Sequence, residues 1–126
     1  MAKKVFGKAN MNLAGTTFEG RQGKLWALRK AKSAYLTLRR DTKNEHDPNA
    51  VKVLAHIETE TGTKSVFCIG FIPKNKAVWV ANAMDNGKIV RVGSFNVVGG
   101  GKASLGVEIT LNHELYEVAE AVETAK

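Results

Sequence analysis

The sequence predicts a mostly β fold: a small six-stranded β-barrel of the OB-like or SH3-like kind, with one or two short helices. Two observations predict it. Short stretches of alternating apolar and polar residues recur along the chain and are separated by turn-forming residues. In addition, a chain of 126 residues is long enough for one hydrophobic core and too short for a second.

The alternating stretches place six strands. We expect them at residues 10–18, 33–40, 50–57, 64–72, 89–98 and 105–111. The fourth contains a nearly continuous apolar run at residues 66–69, which is typical of a strand covered on both faces, with Cys68 as buried filler. Gly99, Gly100 and Gly101 separate the last two strands, and a hairpin turn is the better interpretation than a phosphate-binding loop.

Helical spacing is found in two places. Residues 74–86 follow Pro73 and precede Gly87, and proline at a helix start with glycine past its end matches the usual preference of these two residues. Residues 25–29 fit a short helix or turn, in which Trp26 is expected to anchor the core.

The two ends of the chain differ in charge. Residues 1–9 are basic and are expected to form a loosely held arm, which leaves residues 10–111 as the β-barrel domain. Residues 112–126 are acidic, with Leu115, Val118 and Val122 at helical spacing, and predict a C-terminal helical tail.

The formal net charge of +7 is concentrated near the start. Residues 1–40 hold ten Lys or Arg and a single acid, Glu19, whereas the rest of the chain holds nine basic and eleven acidic residues. A surface of this kind attracts polyanions such as nucleic acid. The alternative is a basic surface with no partner.

Several function classes lack a signal. No run is long enough to span a membrane and the start has no apolar signal core, so we expect a cytoplasmic protein with no membrane partner. The single cysteine cannot form an internal disulfide, and the three histidines have no metal-ligand spacing. Without a nucleophile and base or a metal cluster, the sequence predicts no enzyme and no cofactor.

The most informative stretch is the polar loop at residues 41–49, between two predicted strands. Its segment Asp47-Pro48-Asn49 has the composition of a turn, and a tight polar connection is one interpretation. The loop also holds Lys43, Asn44 and His46, and a plain turn does not need so many hydrogen-bonding groups. We therefore interpret it as part of a binding site.

These residue types suit a nucleotide. Asp47 can accept a hydrogen bond from a sugar hydroxyl, although it can also form an Asx turn within its own loop. Phe18, His46 and Phe71 offer rings for base stacking, with core packing as the alternative for both phenylalanines. Asn44 can read a base edge or fix the loop. The candidate phosphate contacts are Arg21, Arg39, Arg40 and Lys43.

Four stretches in order carry a family resemblance: Ala14-Gly15-Thr16-Thr17-Phe18-Glu19-Gly20-Arg21-Gln22, Leu38-Arg39-Arg40-Asp41 continuing to Asn44-Glu45-His46-Asp47-Pro48-Asn49-Ala50-Val51, Ile69-Gly70-Phe71-Ile72-Pro73-Lys74, and Met84-Asp85-Asn86-Gly87. No one of them is specific, but the ordered set resembles a HIRAN domain over roughly residues 10–111.

The resemblance implies an OB-like barrel that binds single-stranded DNA and, in members attached to Swi/Snf-type enzymes, captures the free 3′-hydroxyl end. It implies that the terminal nucleotide is held by an aromatic residue, matched by Phe18, and by the polar loop at Asn44, His46 and Asp47. Phe71 lies where the family places a histidine or an aromatic residue. The sequence departs from the pattern at Thr17, where end-binding members have a basic residue, and at His46, where the family has an aromatic one.

We therefore expect a non-enzymatic single-stranded DNA-binding module that recognises 3′-hydroxyl ends, in DNA repair, replication or phage DNA metabolism. The family includes short stand-alone bacterial and phage proteins. The alternative is a protein-interaction barrel that recruits a separate helicase or nuclease through its acidic tail.

Overall fold

The computed structural model describes residues 2–119, and the side chains of residues 3–116. Eight elements follow one another along this part of the chain. They are β1 (Ala2–Asn12), α1 (Arg21–Lys30), β2 (Ser33–Arg40), β3 (Val51–Glu58), β4 (Lys64–Phe71), α2 (Lys74–Asp85), β5 (Val90–Val98) and β6 (Gly106–Ala119). The predicted predominance of β structure, the six strands and the two helices are confirmed.

The strands form two antiparallel three-stranded sheets, in the orders β1-β6-β5 and β2-β3-β4. A single bridge links the segment after β1 to the end of β4: the N–H of Ala14 donates to the carbonyl of Phe71 at 2.8 Å, and the N–H of Phe71 donates back at 2.9 Å. The edge strands β2 and β5 do not pair with each other within the described chain. The sheets are therefore not closed into a barrel, and the predicted OB-like or SH3-like barrel is not confirmed.

The core lies between the inner faces of the two sheets and the two helices. The central strand β3 shows why, because its side chains alternate between buried and half-buried along its whole length. The largest fully buried side chains come from both sheets and from both helices and are Leu25, Val51, Val53, Ile69, Val80, Leu105, Val107 and Leu111. Burying each such side chain contributes about 1.5–3 kcal/mol to the free energy of folding.

Two predictions about the ends are wrong. The expected loose arm at residues 1–9 belongs to β1 from Ala2 onward, and β1 ends at Asn12 rather than continuing to residue 18. The expected helical tail is strand β6 as far as Ala119, paired with β1 in a register that joins Lys3 to Val118. Residues 120–126 lie outside the described part of the chain. The apolar spacing of the tail fitted a helix, but pairing with β1 determines its conformation, because strand formation depends on the neighbouring strand.

Two expected core positions are also exposed. Strand β4 lies at the edge of its sheet and is not covered on both faces, since Val66 is 59% exposed and Cys68 is only half-buried. Trp26 is 41% exposed and packs against the guanidinium of Arg29 rather than anchoring the core. The glycine-rich segment does connect β5 to β6 as a hairpin, with the N–H of Gly100 bonded to the carbonyl of Ala103.

Candidate nucleic-acid interface

The polar loop between β2 and β3 is held together by Asn44. Its Oδ1 accepts hydrogen bonds from the N–H groups of His46 and Asp47, both at 2.9 Å, and its Nδ2 donates to Oδ2 of Asp41 at 3.1 Å. Of the two roles suggested by the sequence, fixing the loop is the one that these contacts show. The loop therefore presents its remaining side chains in a set conformation.

Asp47 uses one of its two carboxylate oxygens within the loop. Oδ1 accepts from the N–H of Asn49 at 2.9 Å, and the Asp47 carbonyl accepts from the N–H of Ala50 at 3.1 Å. This is the Asx turn that the sequence offered as an alternative. The other oxygen, Oδ2, accepts no hydrogen bond from any residue that the structure describes, so the half-buried carboxylate keeps an open acceptor.

Arg40 stabilises the polar loop through hydrogen bonds to its backbone. Its Nη1 donates to the carbonyl of Ala50 at 2.7 Å and its Nη2 to the carbonyl of Pro48 at 3.0 Å. The same guanidinium pairs with Asp85, at the end of α2, through two further hydrogen bonds. These four hydrogen bonds within the protein give Arg40 a structural role, and its phosphate contact stays a prediction.

Arg21 joins the start of α1 to the end of β4. It is 7% exposed, donates from Nη1 to the carbonyl of Gly15 at 2.8 Å, and pairs through Nη2 with Glu19 at 3.1 Å. Its guanidinium carbon lies 5.2 Å from the centre of the Phe71 ring, within the range of a cation–π contact. Gly15 has a positive φ of 70°, a conformation that glycine adopts without strain.

The neighbouring Gln22 fixes the position of α1. Its side-chain amide donates to the carbonyls of Leu105 at 2.9 Å and Thr16 at 3.0 Å, while its Oε1 accepts from the N–H of Leu105 at 2.8 Å. These contacts connect the start of α1 to the residue before β6. The segment at residues 14–22 is therefore held on both sides, by the bridge to β4 and by Gln22.

The two phenylalanines differ in exposure. Phe18 is 66% exposed, so its interpretation as a core residue is wrong. Phe71 is half-buried, with one side of its ring covered by Arg21. Both rings lie near Gly15: a Cβ built there would be 3.7 Å from Phe71 and 3.8 Å from Phe18.

A cavity of about 410 Å³ lies where these elements meet, and we call it the loop pocket. Its lining residues are Ala14, Gly15, Phe18, Arg21, Asn44, His46, Asp47, Ala50, Phe71, Ile72 and Lys74. Six of the nine predicted site residues are among them. The other three, Arg39, Arg40 and Lys43, do not line it: Arg39 and Lys43 are exposed on the surface and Arg40 is engaged as described above.

Sequence reasoning missed Lys74 and the helix starts as parts of this site. Helix α1 begins at Arg21 and α2 at Lys74, so both begin at the loop pocket. Neither has a side-chain cap or an acidic residue in its first turn. The N-terminus of a helix carries partial positive charge, and the positive charge of Lys74 adds to it at the start of α2. A lysine directly after Pro73 at a predicted helix start was the available signal.

Other kinds of site are not found in the part of the chain that the structure covers. No group of three or more His, Cys, Asp or Glu side chains is placed to hold a metal ion among residues 3–116. None of the helices between residues 2 and 119 is long and apolar enough to cross a membrane.

The loop pocket combines aromatic rings, an open carboxylate oxygen and cationic groups, and such groups suit a ligand with aromatic and anionic parts. Residues 6–116 match the family model of the HIRAN domain, and the chain belongs to that family. The family implies a DNA-binding module. No curated protein and no solved structure matches the chain significantly.

Proposed function

We propose that this protein binds single-stranded DNA and holds its free 3′-hydroxyl end in the loop pocket, without catalysing a reaction. The observation that carries the proposal is the position of Asp47. An acidic side chain lines a cavity that also holds Arg21 and Lys74, and one of its carboxylate oxygens is open.

A carboxylate repels a phosphate but accepts a hydrogen bond from a hydroxyl group. Charge-assisted hydrogen bonds to a carboxylate are roughly twice as strong as neutral ones, so a sugar hydroxyl is a suitable donor to Oδ2 of Asp47. Along a DNA strand, a free hydroxyl is found at the terminal sugar, whereas internal 3′ oxygens are esterified. The same contact therefore favours an end over an internal nucleotide.

The rings around the cavity supply the base contact. Phe18 is exposed, His46 is exposed on the loop, and Phe71 has one face covered by the Arg21 guanidinium. Stacking of a base on such a ring contributes about 1–3 kcal/mol of binding free energy and does not depend on base identity. A volume of about 410 Å³ lies within the usual range for small-ligand sites.

The cationic groups supply the phosphate contacts. Lys74 forms no hydrogen bond or ion pair through its ammonium group with the residues described, and the uncapped start of α2 adds partial positive charge beside it. Lys43 precedes Asn44 in the polar loop, Arg39 lies on β2, and both side chains are exposed. Such contacts position the strand and do not read its sequence.

The experiment compares three DNA ligands of equal length: a linear single strand, a circular single strand and a linear duplex. Binding is measured by fluorescence anisotropy over a range of salt concentrations. The proposal predicts tightest binding to the linear single strand and a decrease in affinity with salt that reflects phosphate contacts. Equal affinity for the linear and circular strands would refute end recognition, and no salt-sensitive binding to any ligand would refute DNA binding.

A second candidate function, recruitment of a helicase or nuclease, is favoured by a different surface. On the paired strands β1 and β6, three large apolar side chains are more than two-fifths exposed: Phe6, Leu115 and Tyr116. Because residues 114–119 are the last six residues of β6, deleting them would remove part of a strand that pairs with β1. The variant Tyr116→Ala is the better test: loss of partner capture with unchanged DNA binding would support this candidate.

A further inference from the structure

The outer face of the β2-β3-β4 sheet carries a stacked pair of rings. The ring centres of Tyr35 and His56 lie 4.5 Å apart with an angle of 6° between their planes. Nε2 of His56 is hydrogen bonded to Oγ1 of Thr37 at 2.8 Å, which fixes the orientation of the imidazole. Tyr35 is nevertheless 61% exposed, so a large part of its ring remains open to solvent.

The strand register connects this pair to the loop pocket. Directly paired residues on adjacent antiparallel strands point to the same side of a sheet. Three rows therefore cross the outer face, and they are Tyr35, His56 and Val66, then Thr37, Leu54 and Cys68, then Arg39, Lys52 and Phe71. The third row ends at a residue that lines the loop pocket. From the first row to the third the distance is about 13 Å, for four residues of β2.

The first row borders a cavity of its own. Its volume is about 390 Å³, and we call it the sheet cleft. Tyr35, His56, Glu58, Lys64 and Val66 are among its lining residues. No residue of the three rows is fully buried, so the face between the loop pocket and the sheet cleft is not covered by another part of the described chain.

The third row, which reaches the loop pocket, is cationic. Arg39 and Lys52 are paired in the register, and neither side chain forms a hydrogen bond or ion pair with any other residue in the described chain. Two unpaired cations beside each other repel, and an anion placed between them removes that repulsion. Glu58 is the acidic residue of the sheet cleft, and it is paired with Lys64 in the register.

We propose that this outer face binds a second segment of the same single DNA strand, with its phosphates on Arg39 and Lys52 and a base stacked on Tyr35. The inference rests on the proposed single-strand binding but not on recognition of the end. A cationic row followed by an exposed ring held in place by His56 is the arrangement that single-stranded nucleic acid requires, since it offers alternating phosphates and flat bases. Arg39 thus has a role although it lies outside the loop pocket.

The test compares a trinucleotide with a strand of about twelve nucleotides, within the usual site sizes of single-strand-binding domains. Tyr35→Ala is expected to weaken binding of the longer strand at least about fivefold, the lower limit for one stacked base, and to leave the trinucleotide unaffected. Tyr35→Phe keeps the ring and should bind both like the wild type. Tyr116→Ala is the matched control, because it removes a tyrosine of similar exposure from the other sheet.

Unchanged affinity of Tyr35→Ala for the longer strand would overturn the inference, as would an equal loss for both lengths. The failure of end recognition looks different. In that case the wild type binds 3′-hydroxyl and 3′-phosphate strands equally, while the longer strand remains sensitive to Tyr35→Ala. A strand of either length that binds only through the loop pocket would show the opposite pattern, a 3′-hydroxyl preference without any effect of Tyr35→Ala.

Discussion

Arg40 and Asp85 form a two-point ion pair, with Nε to Oδ1 at 3.0 Å and Nη2 to Oδ2 at 3.3 Å. The pair ties the end of β2 to the end of α2. Because Arg40 also binds the carbonyls of Pro48 and Ala50, it connects α2 to the polar loop. Two separated stretches of the family pattern are thus in direct contact.

This relationship predicts opposite behaviour for two adjacent arginines. Arg40→Met should lower the free energy of unfolding by about 1–2 kcal/mol, because it removes charge-assisted hydrogen bonds and leaves two carbonyls without their donor. Arg39→Met should change stability by less than about 0.5 kcal/mol, as is usual for exposed positions. Urea unfolding of the two variants measures the difference, and equal stabilities would contradict the role given to Arg40.

Asn44 is predicted to act through the shape of the loop. Asn44→Ala removes the acceptor for two N–H groups and the contact to Asp41, which should cost about 1–2 kcal/mol of stability. Asn49→Ala is the control, since the Asn49 side chain forms no hydrogen bond with the described residues of the same loop. Thermal or urea unfolding should separate the two variants, and a loop that tolerates both equally would show that Asn44 is not its organiser.

Gly70 is predicted to be intolerant of any side chain. A Cβ at this position would lie 2.7 Å from the carbonyl oxygen of Ala14, at the bridge that brings residues 14–18 to the loop pocket. Gly70→Ala should destabilise the protein by about 1–3 kcal/mol, as overpacking does. A Cβ at Gly23 in α1 would have no atom within 4 Å beyond its own stretch of helix, so Gly23→Ala should instead stabilise by up to about 1 kcal/mol. A neutral Gly70→Ala would contradict the close approach.

Glu114 is predicted to make stability depend on pH. The N–H of Ile89, at 3.0 Å, is the main cause that lowers the pKa of this carboxyl group; burial opposes it, and the charges of Lys4 and Lys88 add to the lowering. A pKa that is lower in the folded state contributes stability above the unfolded pKa, and this contribution is lost as the pH falls through the folded pKa.

The variant Glu114→Gln keeps an acceptor for Ile89 but has no charge. The wild type should therefore be more stable than Glu114→Gln at neutral pH. The difference in stability between the two proteins should become smaller as the pH falls. The effect is measured from the unfolding midpoints of both proteins between neutral and acidic pH. A difference that grows as the pH falls would have the wrong sign.

Elements with their own local signals could be predicted from the sequence. Helix α2 was recognisable because Pro73 and Gly87 mark its ends, and β2, β3 and β5 because their alternation is regular. Strand β4 was recognisable from its short apolar run. The ends of the chain could not be predicted in the same way. Their apolar spacing suits more than one conformation. The pairing of β1 with β6 decides between them, and its paired residues are 96 to 117 positions apart in the sequence.

The site residues likewise fall into those with a local sequence signal and those without one. Asn44, His46 and Asp47 are neighbours in sequence, and their shared loop was evident. That Phe18 and Phe71 join them depends on the bridge between Ala14 and Phe71, for which no local pattern exists. The difference between Arg39 and Arg40 did have a signal: Arg40 follows Leu36 and Leu38 at two-residue spacing, so it points to the inner side of β2. Its partner Asp85 had no such signal.

In the proposed function, Asp47 accepts a hydrogen bond from the 3′-hydroxyl of a DNA end. The most direct measurement compares the affinity of the wild type and Asp47→Asn for two single strands that differ only in a 3′-hydroxyl or a 3′-phosphate. We expect the wild type to prefer the 3′-hydroxyl strand, because a terminal phosphate would meet a carboxylate, and we expect Asp47→Asn to lose most of this preference. Equal binding of both strands by the wild type, or an unchanged preference in Asp47→Asn, would contradict it.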